Sequence, residues 1–216
     1  KNKFYSMPLN SVGESYKFKV KKIVSKLIKS GADFQFITAS ENIAWLMNIR
    51  GNDSQYTPIP HSHVLIDKKK NIKLFCDLKK ISTSFKKKFN KIEFINIKNT
   101  GKILSKIYSK KIILDKNTCS IHYENIISKN NKIINLQDPI YFLKAIKNKK
   151  EIENIKKAHI YDGAALTKYL FWIKNNFLKK KITEISAAKK LLSFRKKNKS
   201  FIFSSSPTIS GTGPNG

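Results

Sequence analysis

The sequence predicts an α/β fold built on a mixed sheet. Through roughly the first 140 residues, short apolar runs of period two alternate with segments of helical period. Hydrophobic residues make up 40% and aromatic residues 11% of the 216 positions, enough for the core of one large or two small domains. Around Asp138-Pro139 the pattern shifts to long helical periodicity, which predicts a second domain.

In chain order, residues 1–13 are polar and interrupted by Pro8 and Gly13, and read as an irregular linker. Tyr16, Val20, Ile23, Val24, Leu27 and Ile28 recur at helical spacing, and Ser30-Gly31 closes that element. Residues 33–38 form a strand. Ser40 caps a short helix with Glu41 and Asn42 in its first turn and Ile43, Ala44, Leu46 and Met47 on its apolar face. Pro58 and Pro60 set an extended approach to a strand at 62–67, whose hairpin partner is 71–76. Helices at 78–89, 101–109 and from Thr118 or Ser120 to 127 interleave with strands at 91–97, 111–114 and 132–135.

Beyond Asp138, an apolar stretch at 141–146 precedes the longest helix, ending near Leu178. Ile152, Ile155, His159, Leu166, Tyr169, Leu170, Ile173 and Phe177 trace one face, and Gly163-Ala164-Ala165 suits close packing. A helix capped by Thr183, with Glu184 in its first turn, runs to about Lys196, and 201–209 reads as a strand. The final residues, Ser205 to Gly216, are small, hydroxylated and glycine-rich. They suit either a loose tail or a backbone held close to a ligand.

The charge is +30, from 44 basic and 14 acidic residues. Arg50 and Arg195 are the only arginines, whereas phosphate and base readers lean on Arg forks. The lysines are spread along the chain, as at Lys68–Lys70, Lys86–Lys88 and Lys179–Lys181, among Ile and Asn. That is the composition an A+T-rich gene produces at solvated positions. A nucleic-acid groove is the alternative, and no basic stripe interleaved with aromatics supports it, so no specific nucleic-acid partner is expected. No apolar run spans a bilayer and no apolar leader follows Lys1, so no membrane partner is expected. Cys76 and Cys119, far apart and without metal-ligand spacing, read as free thiols of a reducing, cytoplasmic setting.

Little of this carries chemistry. Arg50, beside Gly51 and Asp53, either forks onto Asp53 to brace its loop or clamps an anion. His61 and His63 share a strand face, as a metal pair or as ordinary polar residues. His159 fits a hydrogen-bonded packing role, and no nucleophile elbow or glycine-rich phosphate loop is present.

Four blocks, in order, resemble one family. They are Ser40-Glu41-Asn42-Ile43-Ala44-Trp45-Leu46-Met47-Asn48-Ile49-Arg50-Gly51-Asn52-Asp53; Leu143-Lys144-Ala145-Ile146-Lys147-Asn148 with Ala158-His159-Ile160 and Asp162-Gly163-Ala164-Ala165-Leu166; Thr183-Glu184-Ile185-Ser186-Ala187-Ala188; and Pro207-Thr208-Ile209-Ser210-Gly211-Thr212-Gly213-Pro214-Asn215-Gly216. Together they are similar to the three-domain Xaa-Pro aminopeptidases of the M24 metallopeptidases. The resemblance implies a linker from an upstream domain at 1–11, a creatinase/prolidase N-terminal-like domain at 12–145, and the truncated start of a pita-bread (α+β) catalytic domain at 146–216. It implies a cytoplasmic, homodimeric parent enzyme in which two divalent ions, usually manganese, activate a water that cleaves Xaa-Pro peptides. Trp45, Arg50, Gly51 and Asp53 would be structural, and Gly213, Pro214, Asn215 and Gly216 would form a substrate-side loop. The family's metal ligands and catalytic histidine lie beyond Gly216, so no catalytic or metal-binding residue and no bound ion is expected in this chain. Residues 204–216 are expected to be loosely packed. A non-catalytic peptide- or protein-binding module on the same scaffold is the alternative.

Overall fold

The computed structural model describes residues 2–179 and 181–216; Lys1, and Lys180 of the Lys179–Lys181 run, lie outside the described residues. The chain divides into two units, Lys1–Lys150 and Glu151–Gly216.

The first unit opens with β1 (Tyr5–Ser6), α1 (Leu9–Val12) and α2 (Tyr16–Lys29). The first thirteen residues are therefore not irregular. Phe4 is buried, and Tyr5 and Ser6 pair antiparallel with Arg50 and Ile49 of β3 (Ile49–Arg50). A two-residue strand leaves no periodic trace in sequence, because its partner lies more than forty positions away.

Between them come β2 (Phe34–Ile37) and α3 (Ser40–Met47), and after β3 come β4 (Ser62–Asp67) and β5 (Ile72–Cys76). Then follow α4 (Thr83–Lys88), β6 (Ile92–Asn96), α5 (Thr100–Leu104), β7 (Lys111–Leu114), α6 (Ile121–Ser128), β8 (Lys132–Asn135) and α7 (Ile140–Ala145). The expected helix over 78–89 is instead a 3-10 turn, Leu78–Lys80, and α4, separated where Ser82 accepts from the Phe85 N–H and restarts the helix.

Six strands form one mixed sheet in the order β6-β5-β4-β2-β7-β8. The pairs β2–β4 and β4–β5 are antiparallel, and β2–β7, β5–β6 and β7–β8 are parallel. Period-two alternation sorts the side chains onto two faces. Val64, Ile66, Leu74 and Cys76 join Ile23, Val24, Ile43 and Leu46 from α2 and α3. Leu65, Phe75, Phe36, Ile112 and Leu114 face the other way, toward Leu104 of α5 and Ile127 of α6. Helices thus cover both faces, as an interleaved α/β pattern requires. Each fully buried aliphatic side chain contributes about 1.5–3 kcal/mol of transfer free energy.

The helix α8 (Lys149–Asn176) begins in the first unit and continues in the second, where α9 (Glu184–Arg195) follows. Thr183 caps α9 in a reciprocal box with Ser186. Three expectations fail here. His159 is exposed among the described residues, not packed. A Cβ on Gly163 would meet nothing within 4 Å, so this glycine is not a close-packing site. Residues 201–209 form no strand, because no other extended segment is present among the described residues of this unit to satisfy their backbone groups. The apolar stripe of α8 is real but exposed: Ile152 is 41%, Leu166 41% and Leu170 55% accessible, and Ala165 is the buried residue of the helix.

Candidate functional site

The motif block from Ser40 to Asp53 forms one connected site of the first unit. Helix α3 ends at Asn48, which adopts the left-handed conformation with φ 53° and returns its N–H to the Ala44 and Trp45 carbonyls. Asparagine tolerates that region because its short amide bonds locally. Here its Nδ2 donates to the Glu14 carbonyl at 2.7 Å, and its Oδ1 accepts from Lys19 Nζ at 2.8 Å. Lys19 has no solvent exposure. Its ammonium also donates to the Trp45 carbonyl at 3.0 Å and sits 4.0 Å from the Trp45 ring centroid. A buried lysine of this kind satisfies its charge with oxygen acceptors and an aromatic face.

The chain next runs through Arg50, Gly51 and Asp53. Instead of forking onto Asp53, the Arg50 guanidinium donates to the carbonyls of Ala44 and Ile49, at 2.7 and 2.9 Å. Asp53 pairs with Lys80 and accepts from the His61 N–H at 2.8 Å. Both residues brace the loop, but through different partners. Gly51 is needed because a Cβ there would lie 3.0 Å from Phe4 Cε1, the Ile59 carbonyl oxygen and Pro60 Cα. The glycine is what lets β1 and the loop before β4 close on one another.

A second polar centre lies around Asp138, which is 4% exposed. Its Oδ1 accepts from Gln35 Nε2 and the Ile140 N–H, each at 3.0 Å, and its Oδ2 accepts from Asn42 Nδ2 at 2.7 Å. Its own N–H donates to Asp115 Oδ2 at 2.8 Å. Lys144 Nζ donates to Asn42 Oδ1 at 2.6 Å, and burial lowers its pKa. Burial likewise pushes the Asp138 carboxyl above its ordinary range, against the pull of those donors. The network ties β2, α3 and α7 together, and sequence reasoning missed it because its members lie about a hundred positions apart.

His61 and His63 lie with ring centroids 6.3 Å apart, and His63 packs edge-on against Phe36 and Tyr123 at 5.8 and 5.2 Å. Burial, with the nearby His61 charge, lowers the His63 pKa to about 4. Cys76 and Cys119 are free thiols. Burial pushes their pKa values up, to about 12 and about 11, which makes them poor nucleophiles. Among the described residues, no three His, Cys, Asp or Glu side chains converge to hold a metal ion. These side chains therefore do not fit a dinuclear centre.

In the second unit, Gly213, Pro214 and Asn215 form a 3-10 turn, with Gly213 at φ +58°. Glu184 gathers this segment. Its Oε1 accepts from the Thr212 N–H at 2.8 Å and Asn215 Nδ2 at 3.2 Å, and its carbonyl accepts from Ser210 Oγ at 3.3 Å. Ile209 alongside is 97% exposed, so the loop is tied by polar contacts and not by packing. Asp162 of α8 and Arg195 of α9 form a two-point pair at 2.6 and 3.1 Å.

The model of the creatinase/prolidase N-terminal domain matches residues 1–151. The probable Xaa-Pro aminopeptidase P of Paracoccidioides lutzii is 32% identical over 226 aligned residues, covering 96% of this chain and 36% of the relative. That of Ajellomyces dermatitidis is 32% identical over 227, with the same coverage. The chain thus spans just over a third of the length of these curated relatives. The crystal structure of X-prolyl aminopeptidase from Caenorhabditis elegans, described as a cytosolic enzyme with a di-nuclear active site, superposes with a TM-score of 0.89. It is 24% identical, and the match covers 97% of this chain and 35% of that one. The prolidase of Pyrococcus furiosus matches with a TM-score of 0.57 at 18% identity, over 82% of this chain and 52% of the other. The α/β topology and the family blocks thus converge with these matches: the chain belongs to the creatinase/prolidase N-terminal domain family.

Proposed function

We propose that these residues are the second domain and the opening of the catalytic domain of a longer, cytoplasmic metalloaminopeptidase that removes the N-terminal residue from peptides with proline second. The carrying observation is the 32% identity to a probable Xaa-Pro aminopeptidase P across 96% of this chain, which runs through both units. In this reading residues 1–11 connect to an upstream domain, 12–145 are the non-catalytic domain, and 146–216 begin the pita-bread domain. The exposed stripe of α8 supports it, since Ile152, Leu166 and Leu170 await cover that further chain of that domain would supply.

The reading assigns water activation to two divalent ions, manganese by family resemblance, held by side chains outside the described residues. This chain contributes scaffold and loop. Lys19, Asn48, Arg50 and Gly51 shape the first unit, and Glu184 holds the turn through Gly213–Asn215 where a peptide substrate would pass. The 216 residues alone are inactive, and the parent is a homodimer. Sequencing the gene beyond the codon for Gly216 tests the assignment. Two aspartates, a histidine and two glutamates at metal-ligand positions are expected. Their absence would replace the enzyme with a binding module on the same scaffold.

A further inference from the structure

Asn48 holds the N-terminal segment at two points. Its backbone carbonyl accepts the Met7 N–H at 2.8 Å, and its Nδ2 donates to the Glu14 carbonyl at 2.7 Å, so residues 7–14 leave one buried residue and return to it. Between those points lies α1, with Val12 buried. Ahead of them Phe4 is 3% exposed, packed under Gly51, and its N–H donates to the Lys80 carbonyl at 2.9 Å. Lys3 Nζ donates to the Lys79 carbonyl at 2.7 Å, and Lys88 Nζ to Ser6 Oγ at 2.6 Å.

The far side of this loop meets Asn148, the residue before α8. Asn148 Nδ2 donates to the Val12 carbonyl at 2.9 Å, across 136 positions of sequence. The same carbonyl accepts from the Glu14 N–H at 2.9 Å. The approach is close: a Cβ on Gly13, which sits at φ +73°, would lie 2.3 Å from Asn148 Oδ1.

We propose that residues 3–14 are a clasp that couples the Gly51 end of the motif block to the entry of α8, so that opening of the N-terminal strand is felt at Asn148. The clasp lies wholly within the first unit. Its anchors, Phe4 with β1, Met7 and Glu14 on Asn48, and Val12 on Asn148, follow one another on a short segment. With one anchor formed, the next closes over only a few residues, at low entropic cost. Release of one leaves the others to bear the ordering cost of the whole segment. Such coupling is reciprocal: loosening the Phe4 end loosens the Asn148 end, and the reverse holds by the same factor.

The test is amide hydrogen exchange of the 216-residue chain and three variants. Phe4→Ala removes the buried ring. Asn148→Asp removes the amide donor to Val12 and keeps the side chain's shape. Leu104→Ala, in the core on the other sheet face, lowers global stability without touching the clasp. Exchange is read at Met7, at Gly13 and Glu14, and at Ile113 of β7 as the measure of global opening. Phe4→Ala is expected to speed Gly13 and Glu14 about fivefold or more beyond any change at Ile113, and Asn148→Asp to speed Met7 likewise. Leu104→Ala is expected to produce no such excess. An excess confined in each variant to the altered end would overturn the inference, since the anchors would then be independent. So would Phe4→Ala and Asn148→Asp speeding all four amides equally, as global destabilisation does.

Discussion

Lys19 Nζ donates to Asn48 Oδ1 at 2.8 Å across 29 positions of sequence, and the lysine is fully buried. The contact joins α2 to the left-handed end of α3, the point where the family block turns into its loop. Lys19→Ala would leave Asn48 Oδ1 and the Trp45 carbonyl without their ammonium and open a cavity. A loss of about 2–4 kcal/mol in urea unfolding is expected. Lys19→Met, which keeps the stem, should cost less. Asn48→Ala should be worse than Asn48→Gly by about 1 kcal/mol, because only the latter accepts φ 53° freely.

Two glycines should respond in opposite senses. Gly51→Ala drives a methyl to 3.0 Å from the backbone at Ile59 and Pro60, and should destabilise by about 1–3 kcal/mol. Gly163→Ala enters open space within α8 and should stabilise by up to about 1 kcal/mol. Thermal melts of the two variants separate these outcomes by sign.

His63 sets a pH dependence. Its pKa is about 4 in the fold and about 6.5 unfolded, so below pH 6.5 the unfolded chain binds the proton first. Its stabilising contribution is complete above pH 6.5 and is lost as the pH falls toward 4, at most roughly 3 kcal/mol before solvent screening. Asp138 has the opposite sign: with its carboxyl raised by burial, its contribution declines as the pH rises from the ordinary carboxylate range through the folded value. His63→Phe, which keeps a ring against Phe36 and Tyr123, should flatten the stability curve between pH 4 and 6.5. An unchanged slope would contradict the assignment.

Glu184 controls the final loop. Glu184→Ala removes the acceptor of the Thr212 N–H and Asn215 amide, and hydrogen exchange at Thr212 should accelerate with little change in melting temperature. Glu184→Gln keeps an acceptor oxygen and should retain most of the protection. Equal exchange in all three proteins would mean that the loop is not held this way.

The sequence made some of this architecture legible and hid the rest for identifiable reasons. The β4–β5 hairpin, β7 and β8 announce themselves through short β-branched runs, and α9 through its Thr183 cap. Non-local relationships stayed hidden. β1 exists only through β3, Lys19 looks like one more surface lysine, and Asp138 meets Gln35 from 103 positions away. Residues 201–209 failed as a strand for the same reason, since an apolar run becomes a strand only beside a partner. The periodicity of α8 was correctly visible, but periodicity says which side chains share a face and not whether anything covers it. Of the candidate site residues, Gly51 and Arg50 stood out by type, whereas the role of Glu184 in holding Thr212 and Asn215 left no local signal.

The central claim is that this chain is the scaffold and opening segment of an Xaa-Pro aminopeptidase and carries no peptidase activity itself. It is tested most directly by mass-spectrometric detection of N-terminal residue release from an Xaa-Pro peptide with manganese added. The purified 216-residue chain is compared with the gene product extended through the next ~200 codons, a length in the usual range for one domain. Release by the extended protein and none by the 216-residue chain is the expected result. Release by the 216-residue chain, abolished by a chelator, or none by an extended protein shown to bind two metal ions, would contradict the account.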